Sequence, residues 1–254
     1  MRLVVAYEGT MYCGWQLQAS EPTVQGVLEA AFRQLEPGPR RVLGASRTDQ
    51  GVHALGQVAW ARTERALDPE RYRDALNHFL PDDVRVRSCD LAGGEAFHPL
   101  KGVFEKTYVY RVDRGAVPDP RLRRIALHRP GPLDLAAMRE GLGHLLGRHD
   151  FAALGGAGSP RRTTVRTVTE AALREVEGGI ELRLSADGFL YHMVRHAVGL
   201  LLEVGQGRRG PEEVPRVLAE GPPAQGLPLA PAHGLCLLGV AYGPPFPLDS
   251  RHVG

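Results

Sequence analysis

Lysine is nearly missing from this chain: of its 31 basic residues only Lys101 and Lys106 are lysines, the rest are arginines, and Asn77 is the single asparagine. Such a bias fits a GC-rich or thermophilic source, where thermolabile residues are few. The three cysteines, Cys13, Cys89 and Cys236, are odd in number and far apart. They fit neither a disulfide framework nor a paired-thiolate zinc site, and they read as buried free thiols. Long apolar runs are absent too. The stretch AVGLLLEVG at 197–205 is interrupted by Glu203 and falls short of the roughly 20 residues a membrane span needs, so no membrane helix is expected. The N-terminus MRLVVAYEGT reads as a first strand and lacks the apolar core and small-residue cleavage site of a signal peptide. A cytoplasmic protein is expected.

Nucleotide and metal motifs are likewise wanting. There is no Walker A and no G-x-G-x-x-G, and His53, His98 and His192 form neither H-E-x-x-H nor a Cys/His ligand set, so no cofactor and no metal are expected. Ser46 has no G-x-S-x-G context, and Ser159 sits in an irregular segment, which argues against serine hydrolase chemistry. The net charge of +2 predicts no partner by itself. A polyanion would have to meet local clusters such as Arg121, Arg123 and Arg124, or Arg161, Arg162 and Arg166.

What is present is a well-patterned globular chain of 254 residues with 43% hydrophobic residues. After the first strand, Val24, Val27, Leu28, Ala31, Phe32 and Leu35 recur at helical spacing behind Thr23, a candidate N-cap. Strands RRVLGAS and GQVAWART follow. Next come a helix presenting Tyr72, Ala75, Leu76, Phe79 and Leu80, and a strand DVRVRSC. The second half repeats the order: strand KTYVYRV, helix DLAAMREGLGHLL, strands TVRTVTEAALREV and GIELRLSA, helix YHMVRHAVGLLLEV and final strand LCLLGVAY, with an extra helix at PEEVPRVLAE. The expected fold is therefore α+β: two ferredoxin-like βαββαβ halves with mainly antiparallel sheets and a cleft between them. The expected domains are 1–105, 106–245 and a tail, 246–254. Residues 152–167, Gly-rich and then Arg-rich without periodicity, read as a flexible basic arm or an ordinary solvated loop.

Three places could carry chemistry. In SRTDQGVHA, residues 46–54, Asp49 stands between Arg47 and His53 with Gly51 after it, in a turn ahead of a strand. Alone, such an aspartate is a turn cap. Arg195 changes the weighting, because it shares a largely apolar helical face with Tyr191, Val198, Gly199 and Leu202. A buried cation needs an anion, and pairing with Asp49 would keep that carboxylate ionised. Gly199 would admit another backbone or a ligand. In KTYVY, Lys106, Tyr108 and Tyr110 alternate onto one side of a strand. That stripe suits either a base with its phosphate or a core face.

These segments, in this order, closely resemble the tRNA pseudouridine synthases that act in the anticodon arm, at tRNA positions 38 to 40. The resemblance rests on YEGTMYCGWQLQ at 7–18 with TVQ at 23–25, SRTDQGVHA at 46–54, LNHFLPDDVRV at 76–86, FH at 97–98, KTYVY at 106–110, GRHDF at 147–151, RT at 166–167, FLYHMVR at 189–195 and APAHGLCL at 230–237. It implies an enzyme that converts uridine to pseudouridine without a cofactor, working on tRNA as a homodimer. Asp49 would be the catalytic aspartate, Tyr108 the residue stacking on the target base, Arg195 the arginine paired with the aspartate and Arg47 a second arginine of the loop. Tyr110, Lys106, Arg161 and Arg162 are further substrate-binding candidates. The chain departs from the family's usual pattern at Ser46 (glycine), Glu8 (aspartate) and FHPLK (FHARF). A non-catalytic RNA-binding module and a hydrolase pairing Asp49 with His53 are the competing readings.

Overall fold

The computed structural model describes residues 1–38, 40–64, 67–91, 97–156 and 163–244. It is mixed α and β with mostly antiparallel strand pairs. Cα packing divides the chain into two compact units, Met1–Glu105 with the stretch from Cys236 onward, and Lys106–Leu235.

In the first unit the elements are β1 (Arg2–Tyr7), α1 (Val24–Leu35), β2 (Val42–Gly44), β3 (His53–Ala61), α2 (Pro69–Phe79), β4 (Val84–Asp90) and most of β10 (Leu235–Tyr242). Strand β1 lies between β4 and β3, antiparallel to both, and β2 pairs antiparallel with the end of β3. Thr23 caps α1, its Oγ1 accepting the Gly26 N–H at 3.2 Å, and Val24, Leu28, Ala31, Phe32 and Leu35 form the buried stripe. Glu29, buried in the same helix, accepts the Val42 N–H at 3.0 Å and so ties α1 to β2. Helix α2 packs on α1 and β4 through Tyr72, Leu76 and Leu80, an i, i+4 row. Phe79 stands off that row and is exposed against His78, contrary to the expected face. Each buried side chain of this size contributes about 1.5–3 kcal/mol, so the helices hold the sheet mainly by burial.

The final strand corrects the expected partition. Rather than belonging to the second half, β10 from Cys236 onward runs parallel to the start of β3, with Cys236 opposite His53 and Leu237 opposite Ala54. Periodicity says that a segment is a strand, not which partner it chooses.

The second unit contains β5 (Val103–Asp113) from Lys106 onward, β6 (Leu127–His128), α3 (Leu135–Gly143), β7 (Gly147–Asp150), β8 (Val165–Val176), β9 (Gly179–Ala186), α4 (Met193–Gly205) and α5 (Glu213–Glu220). The antiparallel order is β5-β9-β8-β7, with β6 parallel to the end of β5. Helix α3 packs on α4, α5 and β8, and Met138, Leu142, Phe151, Leu154, Leu184 and Leu201 are buried. The expected arm at 152–167 is shorter than its composition suggests: Ala152–Leu154 form a 3-10 turn and residues from Val165 belong to β8, which pairs with β7. Arg161 and Arg162 lie outside the described residues. Helix α4 begins at Met193 rather than Tyr191, because His192 takes the left-handed conformation (φ 63°), which a right-handed helix cannot include.

Candidate active-site elements

The Asp49 segment is a connection between β2 and β3, residues 45–52, held at both ends and in the middle. Gln57, fully buried in β3, clamps its start. The Gln57 Oε1 accepts the Ser46 N–H at 3.1 Å, and its Nε2 donates to the Ser46 carbonyl at 2.6 Å. The Tyr7 and Thr48 hydroxyls are hydrogen-bonded at 2.7 Å. At the end, the Val52 N–H donates to the Asp49 carbonyl at 3.1 Å, closing a turn in which Gly51 has φ 76°, a conformation that favours glycine at the third position.

A second chain segment straps this connection down. The Trp15 N–H donates to the Thr48 carbonyl at 3.1 Å and the Gly51 N–H to the Tyr12 carbonyl at 3.3 Å. Gly14, at φ 86°, lies so close that a Cβ there would stand 2.5 Å from the Thr48 carbonyl oxygen. Trp15 itself is buried, its ring 6.3 Å from that of Tyr7. Residues 12–15, part of the YEGTMYCGWQLQ motif, are thus the backing of the Asp49 loop. This role was not read from sequence, nor were those of Tyr7, Thr48 and Gln57. One signal existed, a glutamine in the middle of an apolar strand.

Within the loop Thr48 is buried, Asp49 half-buried and Arg47 exposed. His53 is buried, and its Nδ1 accepts the Gly9 N–H at 2.9 Å, which engages that nitrogen's lone pair in holding the turn. Glu8, in place of the family's usual aspartate, caps the turn Gly9–Met11 by accepting the Thr10 N–H at 3.0 Å.

In the second unit, Lys106, Tyr108 and Tyr110 lie on alternating positions of β5 and all three are buried. Tyr108 packs edge-to-face on Phe189, with ring centroids 5.3 Å apart. Tyr110 is corrected from a nucleotide contact to an anchor: it is fully buried and its hydroxyl donates to the Pro231 carbonyl at 2.9 Å, leaving no ring face for a base. Burial raises its hydroxyl pKa, and the nearby Arg195 charge opposes that rise.

Arg195, on the first turn of α4, is half-buried and locked to residue 230 in both directions. Its Nε donates to the Ala230 carbonyl at 2.8 Å, and the Ala230 N–H donates back to the Arg195 carbonyl at 3.1 Å. Gly199 permits this: a Cβ there would lie 2.2 Å from the Pro228 carbonyl oxygen, so only glycine lets residues 228–230 lie along the helix. Close backbone approach at Gly199 is as expected from sequence. His196, one position on, hydrogen-bonds the Pro228 backbone. Burial holds its pKa below 6.5, and the Arg195 charge adds to that.

The sequence model of a family described as tRNA pseudouridine synthase matches residues 3–98 and 142–243. The chain belongs to the tRNA pseudouridine synthase family. It is 42% identical over 244 residues to the tRNA pseudouridine synthase A of Syntrophotalea carbinolica, covering 96% of each chain. Identity to that of Shouchella clausii is 40% over 246 residues, covering 96% of this chain and 94% of the relative. For Acetivibrio thermocellus it is 37% over 242 residues, 95% and 99%. The Asp49 loop with its strap, and Arg195 on α4, fall within the matched residues, whereas β5 with Tyr108 lies outside them. The protein is an isomerase. Among the described residues no helix is long and apolar enough to cross a membrane.

Proposed function

We propose that the enzyme isomerises uridine to pseudouridine at positions 38, 39 or 40 of the tRNA anticodon arm, with Asp49 as the catalytic carboxylate. The reaction breaks the N1–C1′ bond, turns the base and joins C5 to C1′. The C5 hydrogen leaves as a proton, and N1 gains one from solvent. The carboxylate acts as nucleophile or as base toward the ribose, and both routes require it ionised on a fixed support. The observation that carries the assignment is the support itself: Thr48, adjacent to Asp49, is held by Tyr7 and Trp15, while Ser46 is held by a buried glutamine. A loop serving only as a surface turn has no need of such anchoring.

Tyr108 would stack on the flipped uridine, and Arg195 would pair with Asp49 to keep it charged. Flipping costs a few kcal/mol, and stacking on an aromatic ring returns about 1–3 kcal/mol. Arg47, exposed beside Asp49, and Lys106, Arg161 and Arg162 would contact the RNA. In this reading each half of the chain is ferredoxin-like, the cleft between the halves holds the arm, and two copies in the cytoplasm act together on tRNA with no cofactor. The order β4-β1-β3-β2 in the first unit supports the ferredoxin-like reading of that half alone.

The test is Asp49→Asn, which keeps shape and removes charge. Folding and tRNA binding should persist while pseudouridine disappears from unmodified tRNA transcripts. Normal turnover by this variant would sink the assignment.

A further inference from the structure

The region 111–130, which the family match omits, carries an arrangement that the reaction does not use. Strand β6 lies parallel to the end of β5, with Val112 opposite Leu127 and Asp113 opposite His128. The Arg129 N–H then donates to the Asp113 carbonyl at 2.7 Å, so Arg114 and Arg129 follow as neighbours, on chains roughly 5 Å apart. Two like charges side by side are destabilising unless something of opposite sign accompanies them.

Among the described residues no acid pairs with either of them. Asp113 is buried, and its carboxylate accepts the N–H groups of Gly115 and Asp119. Asp119 is paired with Arg121, and the charge of Glu177 also acts on Arg121. Among the described residues, neither Arg114 nor Arg129 forms an ion pair, and the Nε of each is shut off from solvent without a hydrogen-bond partner. Both residues are nevertheless only half-buried, so neither arginine is sealed in the core. Arg123, on the intervening turn, is exposed and donates to the Pro120 carbonyl at 3.0 Å.

We propose that Arg114 and Arg129 form a phosphate clamp that takes a backbone phosphodiester of the substrate tRNA. A guanidinium presents a planar fork that matches two phosphate oxygens, and a phosphodiester between two such forks supplies the opposite charge that the pair lacks. The substrate itself provides that anion. The clamp contributes to binding and register, not to the chemical step.

The experiment compares the wild-type enzyme with R114Q/R129Q and R114K/R129K on a full-length tRNA transcript. The glutamine pair should weaken tRNA binding and raise KM about tenfold, as expected for losing one charge-assisted contact. It should also lower the slope of log affinity against log salt by about 1 to 2 and leave kcat and Tm unchanged. The lysine pair should keep most of the slope. Loss of Tm with an unchanged salt slope would show a structural pair and overturn the proposal. Inorganic phosphate, at ionic strength matched with chloride, separates the other source of the same chemistry. If phosphate raises the wild-type Tm, the glutamine pair abolishes that rise and tRNA affinity is unaltered, the site takes a free anion and the tRNA assignment fails. Retained kcat in the glutamine pair distinguishes this outcome from failure of the Asp49 assignment.

Discussion

Replacing Gly14 by alanine tests whether the strap at residues 12–15 sets the position of Asp49. The new Cβ would stand 2.5 Å from the Thr48 carbonyl oxygen. A relaxed carbon–oxygen contact is about 3.3 Å, so the two backbones must part by about 0.8 Å. The movement falls on the residue before Asp49 and weakens the Trp15–Thr48 hydrogen bond. Misplacement of a reacting group by about 1 Å costs on the order of a hundredfold in rate, and kcat should fall by that much. Placing alanine at φ 86° costs about 1–2 kcal/mol, and the weakened hydrogen bond adds about 1 kcal/mol. At 2–4 °C per kcal/mol, Tm should fall by about 5–10 °C, leaving the variant folded at assay temperature. Release of tritium from C5 of labelled uridine in tRNA reports the rate, and thermal melting reports the fold. A folded Gly14→Ala enzyme with unchanged kcat would refute the strap's role.

Gln57→Leu should destabilise by about 2–4 kcal/mol in urea titration, because it removes both hydrogen bonds that the buried amide makes to the Ser46 backbone. An effect confined to a few tenths would mean water replaces the amide. His196 predicts a pH dependence. Its folded pKa lies below the unfolded 6.5, so the unfolded chain takes up its proton first as the solution is acidified. Its contribution to stability is therefore complete above pH 6.5 and is lost as pH falls from there toward the folded value. Tm measured across that window should decline less in His196→Gln; identical pH profiles would contradict the burial argument.

The helices were legible because their information is local. Thr23 caps α1 and Thr23-to-Leu35 spacing marks its buried stripe, as read from the sequence. The alternation of KTYVY correctly put Tyr108 and Tyr110 on one side of a strand, but a period of two does not say how much of a ring is covered, and Tyr110 proved to be an anchor. Asp49 stands out in the sequence as a candidate, whereas its support does not. Gln57 reaches back 11 residues and Thr48 is held by Tyr7 and Trp15, contacts set by tertiary packing that no periodicity encodes. The same limit explains β10, whose pattern announces a strand without naming its neighbour.

That pairing has a consequence for synthesis. Strand β3 begins just after the Asp49 loop, and although Ala54 already pairs with Tyr7 of β1, the other edge of its first residues gains a neighbour only when Cys236 and Leu237 have been made. A nascent chain leaving the ribosome can build β1, α1, β2, most of β3, α2 and β4 early, yet the edge beside His53 stays open while the whole second unit is translated. The Asp49 loop itself is fastened by Tyr7, Trp15 and Gln57, all made early, whereas the second edge of the strand that follows it waits for residues more than 180 positions on.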